Sequence, residues 1–249
     1  MQVRVGALDI RCELAGPESA PVVTFVHGLA ASLEVWAGQA ERLSDRFRVL
    51  RYDLRAHGGT TSIDAPCSRH DLAADLAGLL DALGIAKTAL VGHSAGGVVV
   101  QQAAVDFPSR VSALGFIGTA SECNDRTAAW YSKCIELART EGGAAVMKAM
   151  GMKPERGPVP DGPGMAPVIE AMRTLNTDPL TKALAAVKAP TLILVGDKDF
   201  LGVGGSVILS RTVAGSELEI VPGRGHGIYL EDPDWFAWRL GAFLSRHLL

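Results

Sequence analysis

The pentapeptide Gly92-His93-Ser94-Ala95-Gly96 places a serine between two glycines just after an apolar run, where a strand would give way to a helix. A serine at such a junction must take a strained backbone to lift its hydroxyl above the sheet edge, and the residues two positions away must be small because strand and helix nearly collide. Gly92 and Gly96 meet that need. A helix starting at Ala95 would also aim unpaired N–H groups at charge developing beside Ser94. The chemistry such a serine can do is nucleophilic attack on a carbonyl carbon. The plainer reading is a glycine-rich turn that only packs tightly. G-x-S-x-G arises by chance in many proteins, so the serine must be judged by its partners.

A serine hydroxyl is a poor nucleophile at neutral pH and needs a base, usually an imidazole oriented by a carboxylate. Six histidines compete. His93 adjoins the serine and should point elsewhere, His27 and His57 sit beside glycines in loops and suit structural hydrogen bonds, and His70 and His247 fall on surface-like helical stretches. His226 remains. It lies in Gly223-Arg224-Gly225-His226-Gly227, where the flanking glycines let a loop carry the ring over a sheet edge. For the carboxylate, Asp197 and Asp199 both follow the apolar run that ends at Gly196, and either could reach the imidazole. Two backbone N–H groups are needed for an oxyanion. Ala95 supplies one, and Leu29, after Val26-His27-Gly28, is the candidate for the other unless His27-Gly28 merely ends a strand.

The elements that must position these residues can be read from periodicity. Short apolar runs read as strands at 2–5, 10–14, 22–27, 48–53, 88–92, 111–117, 191–195 and 218–221, the inner ones β-branched as suits strands covered on both faces. Helical spacing occupies 36–44, 70–83, 95–106 and 233–248. This alternation implies a mostly parallel eight-stranded α/β sheet with helices on both faces. About seventy residues after Gly118 lack a clear strand. They are read as a helical cap, residues 120–185, inserted into a core made of 1–119 and 186–249. Within it, residues 154–167 are so rich in Pro and Gly that a loop or hinge is expected. Five of the six methionines, at 147, 150, 152, 165 and 172, also fall there and either line an adaptable apolar pocket or fill gaps between helices. Trp130, Tyr131 and Met147 are candidates to roof the site and contact substrate.

Composition sets the remaining bounds. Lys plus Arg number 24 against 27 for Asp plus Glu, with no long run of either sign, so nothing asks for nucleic acid or an anionic membrane. Cys12, Cys67, Cys123 and Cys134 form no C-x-x-C pair, which suggests neither a zinc site nor a disulfide framework. The N-terminus lacks the pattern of a signal peptide and no apolar run is long enough to span a membrane, so a cytoplasmic protein with no metal or organic cofactor is expected.

These motifs together resemble the α/β-hydrolase superfamily along nearly the whole chain. His27-Gly28, the turn Tyr52-Asp53-Leu54-Arg55-Ala56-His57-Gly58, the elbow at Ser94, Gly196-x-x-Asp199, and Gly225-His226 followed by Glu231-x-Pro233 carry the match. The resemblance implies a serine, acid, histidine order along the chain, met by Ser94, an aspartate and His226. It favours Asp199 through its G-x-x-D spacing. So does the chain's path, because Asp197 still follows the strand direction whereas Asp199 has a turn before it. Ser32-x-x-x-Trp36-x-x-Gln39 and Arg51-Tyr52-Asp53 look most like the 3-oxoadipate enol-lactonase and small esterase group. Ala56 departs from the family's usual glycine, which should alter that turn. The implied activity is hydrolysis of a small carboxylic ester or lactone through an acyl-enzyme. The rivals are a cofactor-free haloperoxidase or perhydrolase and a ligand receptor that has kept a hydrolase site.

Overall fold

The computed structural model describes residues 1–152 and 158–249. Its strands are β1 (Gln2–Val5), β2 (Leu8–Ala15), β3 (Val22–Val26), β4 (Arg48–Tyr52), β5 (Thr88–His93), β6 (Val111–Ile117), β7 (Thr191–Gly196) and β8 (Glu217–Val221). They form one open sheet in the order β1-β2-β4-β3-β5-β6-β7-β8. The hairpin β1–β2 and the β2–β4 pair are antiparallel, and every pair from β4 to β8 is parallel. Among the described residues, no helix is long and apolar enough to cross a membrane.

The sheet divides two apolar layers by strand alternation. In β5, Ala89 and Val91 join one cluster while Leu90 joins the other; in β7, Leu192 and Leu194 face one way and Ile193 the other. Helices α1 (Ala37–Leu43) and α10 (Pro233–Leu248) cover the first face through Leu43, Phe236, Leu240 and Phe243. Helices α2 (Arg69–Ala82) and α3 (Ala95–Asp106) cover the second through Leu72, Leu76, Val99 and Ala103. Two-sided burial explains why the inner strands are apolar without interruption. Between β6 and β7 the chain forms α4 (Asp125–Thr140), α5 (Gly143–Ala149), α6 (Gly162–Arg173) and the short α7 (Thr181–Leu184). Their buried side chains, among them Cys134, Met147, Met165 and Met172, are continuous with the second apolar layer.

Two sequence expectations need correction. The stretch 154–167 is not loop throughout: residues 153–157 lie outside the described residues, but α6 begins at Gly162. Asp161 caps it by accepting from the Gly164 N–H at 2.9 Å, and Pro163 falls in the first turn, where a missing N–H has no intrahelical role. Only Pro167 removes a donor from the helix interior, and dense burial of α6 against α4 compensates. Helix α8 (Gly204–Thr212) and the one-turn α9 (Ile228–Glu231) were not expected, since Gly204-Gly205 at the start of the first disguises its periodicity and the second is too short to show any. In the turn after β4, Ala56 stands where the resemblance led to a glycine. It takes φ 60°, the left-handed region glycine favours, and its N–H bonds the Thr61 carbonyl at 3.1 Å.

Candidate active site

Ser94 stands between β5 and α3 with φ 53° and ψ −119°, a conformation costing on the order of 1–3 kcal/mol for a residue with a side chain. The surroundings hold it there. Its N–H donates to the Ile117 carbonyl at 2.9 Å, and its carbonyl accepts from the Thr119 hydroxyl at 2.8 Å. Neither elbow glycine has room for a methyl: a Cβ on Gly92 would lie 2.3 Å from the Gly96 carbonyl oxygen, and one on Gly96 would lie 2.3 Å from that of Val26.

His226 sits in the turn between β8 and α9. Its Nδ1 is 2.8 Å from Oδ2 of the buried Asp199, so Nδ1 carries the proton and Nε2 presents a lone pair. The other Asp199 oxygen accepts from the Leu201 N–H at 2.9 Å, which fixes the carboxylate from both sides. Asp197 is exposed and faces away; its Oδ1 accepts from the Gly223 N–H at 2.7 Å and ties the turn after β7 to the turn after β8. Gly118, at φ 51°, leaves the space in which acid and imidazole meet, since a Cβ there would lie 3.0 Å from Asp199 Oδ2 and 3.1 Å from His226 Nδ1. Sequence reasoning passed over Gly118, although its place at the end of β6 was the available signal. Ser94 Oγ is not hydrogen-bonded to the imidazole, a looseness common in unliganded sites.

His27 and His57 have structural bonds. His27 Nε2 accepts from the Leu54 N–H at 3.0 Å, so its Nδ1 donates to the Gly28 carbonyl at 2.8 Å. His57 Nε2 accepts from the Ala30 N–H at 3.1 Å and its Nδ1 donates to the Arg55 carbonyl at 2.8 Å. Burial keeps both neutral, lowering His27 to about 4 and His57, with added repulsion from His27, to about 3. These two rings shape the loop carrying Gly28, Leu29 and Ala30. Among the described residues, the N–H groups of Leu29 and Ala95 meet no protein acceptor.

His93 turns away from the serine, as expected from its place in the elbow, and supports the imidazole loop. Its Nε2 donates to the His226 carbonyl at 3.0 Å, and the Tyr229 hydroxyl lies 3.3 Å from its Nδ1. Burial, then the proximity of His226, drives its pKa well below the usual histidine range. Behind it, Trp36 stacks on Tyr229 at 4.1 Å between ring centres, and Gln39 Nε2 donates to the Tyr229 carbonyl at 3.0 Å. The Trp36-x-x-Gln39 spacing thus braces the histidine side of the site.

A cavity of about 270 Å³ opens over these residues, small beside the roughly 300–1,000 Å³ of drug-sized ligand sites. Ser94, His226 and Leu29 line it, together with Trp130, Tyr131 and Met147, while Ala95 and Asp199 lie just beneath. Met150 and Met152, of the methionine group named from the sequence, also line it, and Phe200, Leu201 and Leu230 do so without having been anticipated. Among the described residues, no three His, Cys, Asp or Glu side chains converge as metal ligands.

Comparison with known proteins gives the same fold. Residues 21–147 match the family model described as the alpha/beta hydrolase fold. The chain is 29% identical over 245 residues to a putative carbamate hydrolase of Pantoea ananatis, covering 90% of this chain and 89% of that one. It is 25% identical over 249 residues to 3-oxoadipate enol-lactonase 2 of Acinetobacter baylyi, covering 93% and 91%. The enol-lactonase structure from Burkholderia xenovorans superposes with a TM-score of 0.88 at 26% identity, covering 98% of this chain and all of that one. A thermophilic esterase from Thermogutta terrifontis gives 0.89 at 25% identity, covering 100% and 99%. With the open parallel sheet, the serine elbow and a family match across half its length all in agreement, the chain belongs to the α/β-hydrolase fold family.

Proposed function

We propose that the protein is a serine hydrolase that cleaves small carboxylic esters or lactones through an acyl-enzyme. The observation that carries this reading is the meeting, at one small apolar cavity, of a strained Ser94 with a His226 whose tautomer Asp199 sets. In this mechanism Ser94 Oγ attacks the carbonyl carbon while His226 Nε2 takes its proton, and Asp199 stabilises the imidazolium. The N–H groups of Leu29 and Ala95 receive the oxyanion, worth about 2.7–4 kcal/mol per donor in comparable enzymes. Water activated by the same imidazole then releases the acid. Residues 120–185 act as the cap, with Trp130, Tyr131 and Met147 bounding substrate size. The full-length likeness to a putative carbamate hydrolase brings carbamates, whose carbonyl can undergo the same attack, into the substrate screen.

Ser94→Ala tests the nucleophile. It is expected to abolish fluorophosphonate labelling and to lower kcat on an aryl ester by about 10⁴- to 10⁶-fold, as loss of a triad nucleophile does. Retained labelling, or a merely tenfold loss, would place the chemistry elsewhere.

A further inference from the structure

Phe200, Leu201 and Leu230 are 67%, 45% and 47% exposed, an unusual state for large apolar side chains gathered at the mouth of a cavity. They belong to the two segments that carry the acid and the histidine, and line the same cavity as His226. The Phe200 ring centre lies 4.6 Å from that of the imidazole. Leu201 is held by its N–H bond to Asp199, and Leu230 by an N–H bond of 2.8 Å to the carbonyl of Gly227, the residue after His226. The main chain beneath the rim is thus tied to the acid at Leu201 and to the histidine loop at Leu230.

Resting on the function proposed above, the order of bond changes says what the rim meets. Ser94 Oγ bonds the carbonyl carbon as its proton passes to His226 Nε2. When the tetrahedral adduct collapses, the bond from that carbon to the alkoxy oxygen breaks, and the proton moves from Nε2 to the departing oxygen. The alkoxy oxygen must then lie beside His226, and whatever it carries must extend over the side chains around that ring. The acyl group takes the rest of the lining, which includes Trp130, Tyr131 and Met147. We infer that Phe200, Leu201 and Leu230 bind the alcohol half of the substrate, and that the substrate class is carboxylic esters of apolar alcohols. A compact lactone, whose alkoxy oxygen is tied back to its own acyl chain, would leave these three side chains uncovered.

Two series of esters separate the halves: acetates of ethanol, butanol and hexanol, and ethyl esters of acetic, butyric and hexanoic acids. A fully covered methylene is good for about fourfold in binding. With partial cover, wild-type kcat/KM should rise about tenfold from ethyl to hexyl acetate. Phe200→Ala and Leu230→Ala should each bring that ratio close to one while the ratio across the acyl series stays at the wild-type value. Met147→Ala should change the acyl ratio and leave the alcohol ratio alone. An alcohol ratio unchanged in both rim variants, or a loss equal across the two series, would overturn the assignment. A wild-type protein with no Ser94-dependent hydrolysis of either series would overturn the assignment, and the function on which it rests falls with it only if a simple lactone is also left uncleaved.

Discussion

At the residue scale, two aspartates two positions apart have different work. Asp199 is buried and bonds the imidazole, whereas Asp197 is exposed and bonds the Gly223 N–H of the neighbouring turn. Asp199→Asn is therefore expected to lower kcat on a simple ester by roughly 10³- to 10⁴-fold, because an amide can donate to Nδ1 and so favour the wrong tautomer. Asp197→Asn keeps an oxygen that can accept from Gly223 and should cost much less than tenfold. Measuring kcat for both variants on one substrate is sufficient, and the reverse ranking would move the acid role to Asp197.

At the scale of elements, α6 is joined to the core at its start. Asp161 Oδ2 accepts from the Gly164 N–H and from the hydroxyl of Ser62, which belongs to the long turn after β4. One carboxylate thus caps the helix and ties its start to the turn after β4. Asp161→Ala should cost about 1 kcal/mol, the usual value of an N-cap, and lower Tm by about 2–4 °C for a chain of this size. Asp161→Asn, which still offers an oxygen to both donors, should recover most of the loss. Equal Tm values for wild type and Asp161→Ala in a calorimetric scan would show that α6 is held by packing against α4 alone.

For the whole molecule, the buried neutral histidines set the response to acid. His27 and His57 have folded-state pKa values of about 4 and about 3, below the 6.5 of an unfolded histidine. Between those values the unfolded chain binds protons that the folded one refuses, so stability is full above pH 6.5 and falls as the pH drops. Each such group contributes up to about 1.4 kcal/mol per pH unit, until about pH 4 for His27 and about pH 3 for His57. His93, shifted in the same direction, adds to the slope. Glu34 and Asp71, held low by Arg11 and by Ser68, also lose stabilisation in acid, but only from near their ordinary values of 4.5 and 3.8. A Tm series from pH 8 to pH 4 should therefore begin to fall near pH 6.5. A plateau extending down to pH 5 would assign acid sensitivity to the carboxylates instead.

The sequence alone determined the sheet and placed the serine elbow and the histidine loop at its edge, because both leave local signals. Strands buried on two faces must be apolar throughout, an elbow where strand meets helix requires Gly92 and Gly96, and a loop that crosses the sheet edge shows its glycines around His226. Side-chain direction was beyond it. That Asp199 faces inward while Asp197 bonds a neighbouring turn depends on how β7 and β8 lie together, although chain path and family spacing both favoured Asp199. The start of α6 was masked by its prolines and glycines, since a cap and a first turn tolerate residues that propensity counts as breakers. Only the tertiary structure showed which neighbours of the site residues turn toward it: Phe200 follows Asp199, His93 precedes Ser94 and Leu230 lies four residues past His226, but the direction of each, and the meeting of His93 with Tyr229, depends on how distant segments pack. The physical reason is one of range: backbone geometry and burial leave their mark within a few residues, whereas a cavity wall is assembled from contacts between segments far apart in the chain.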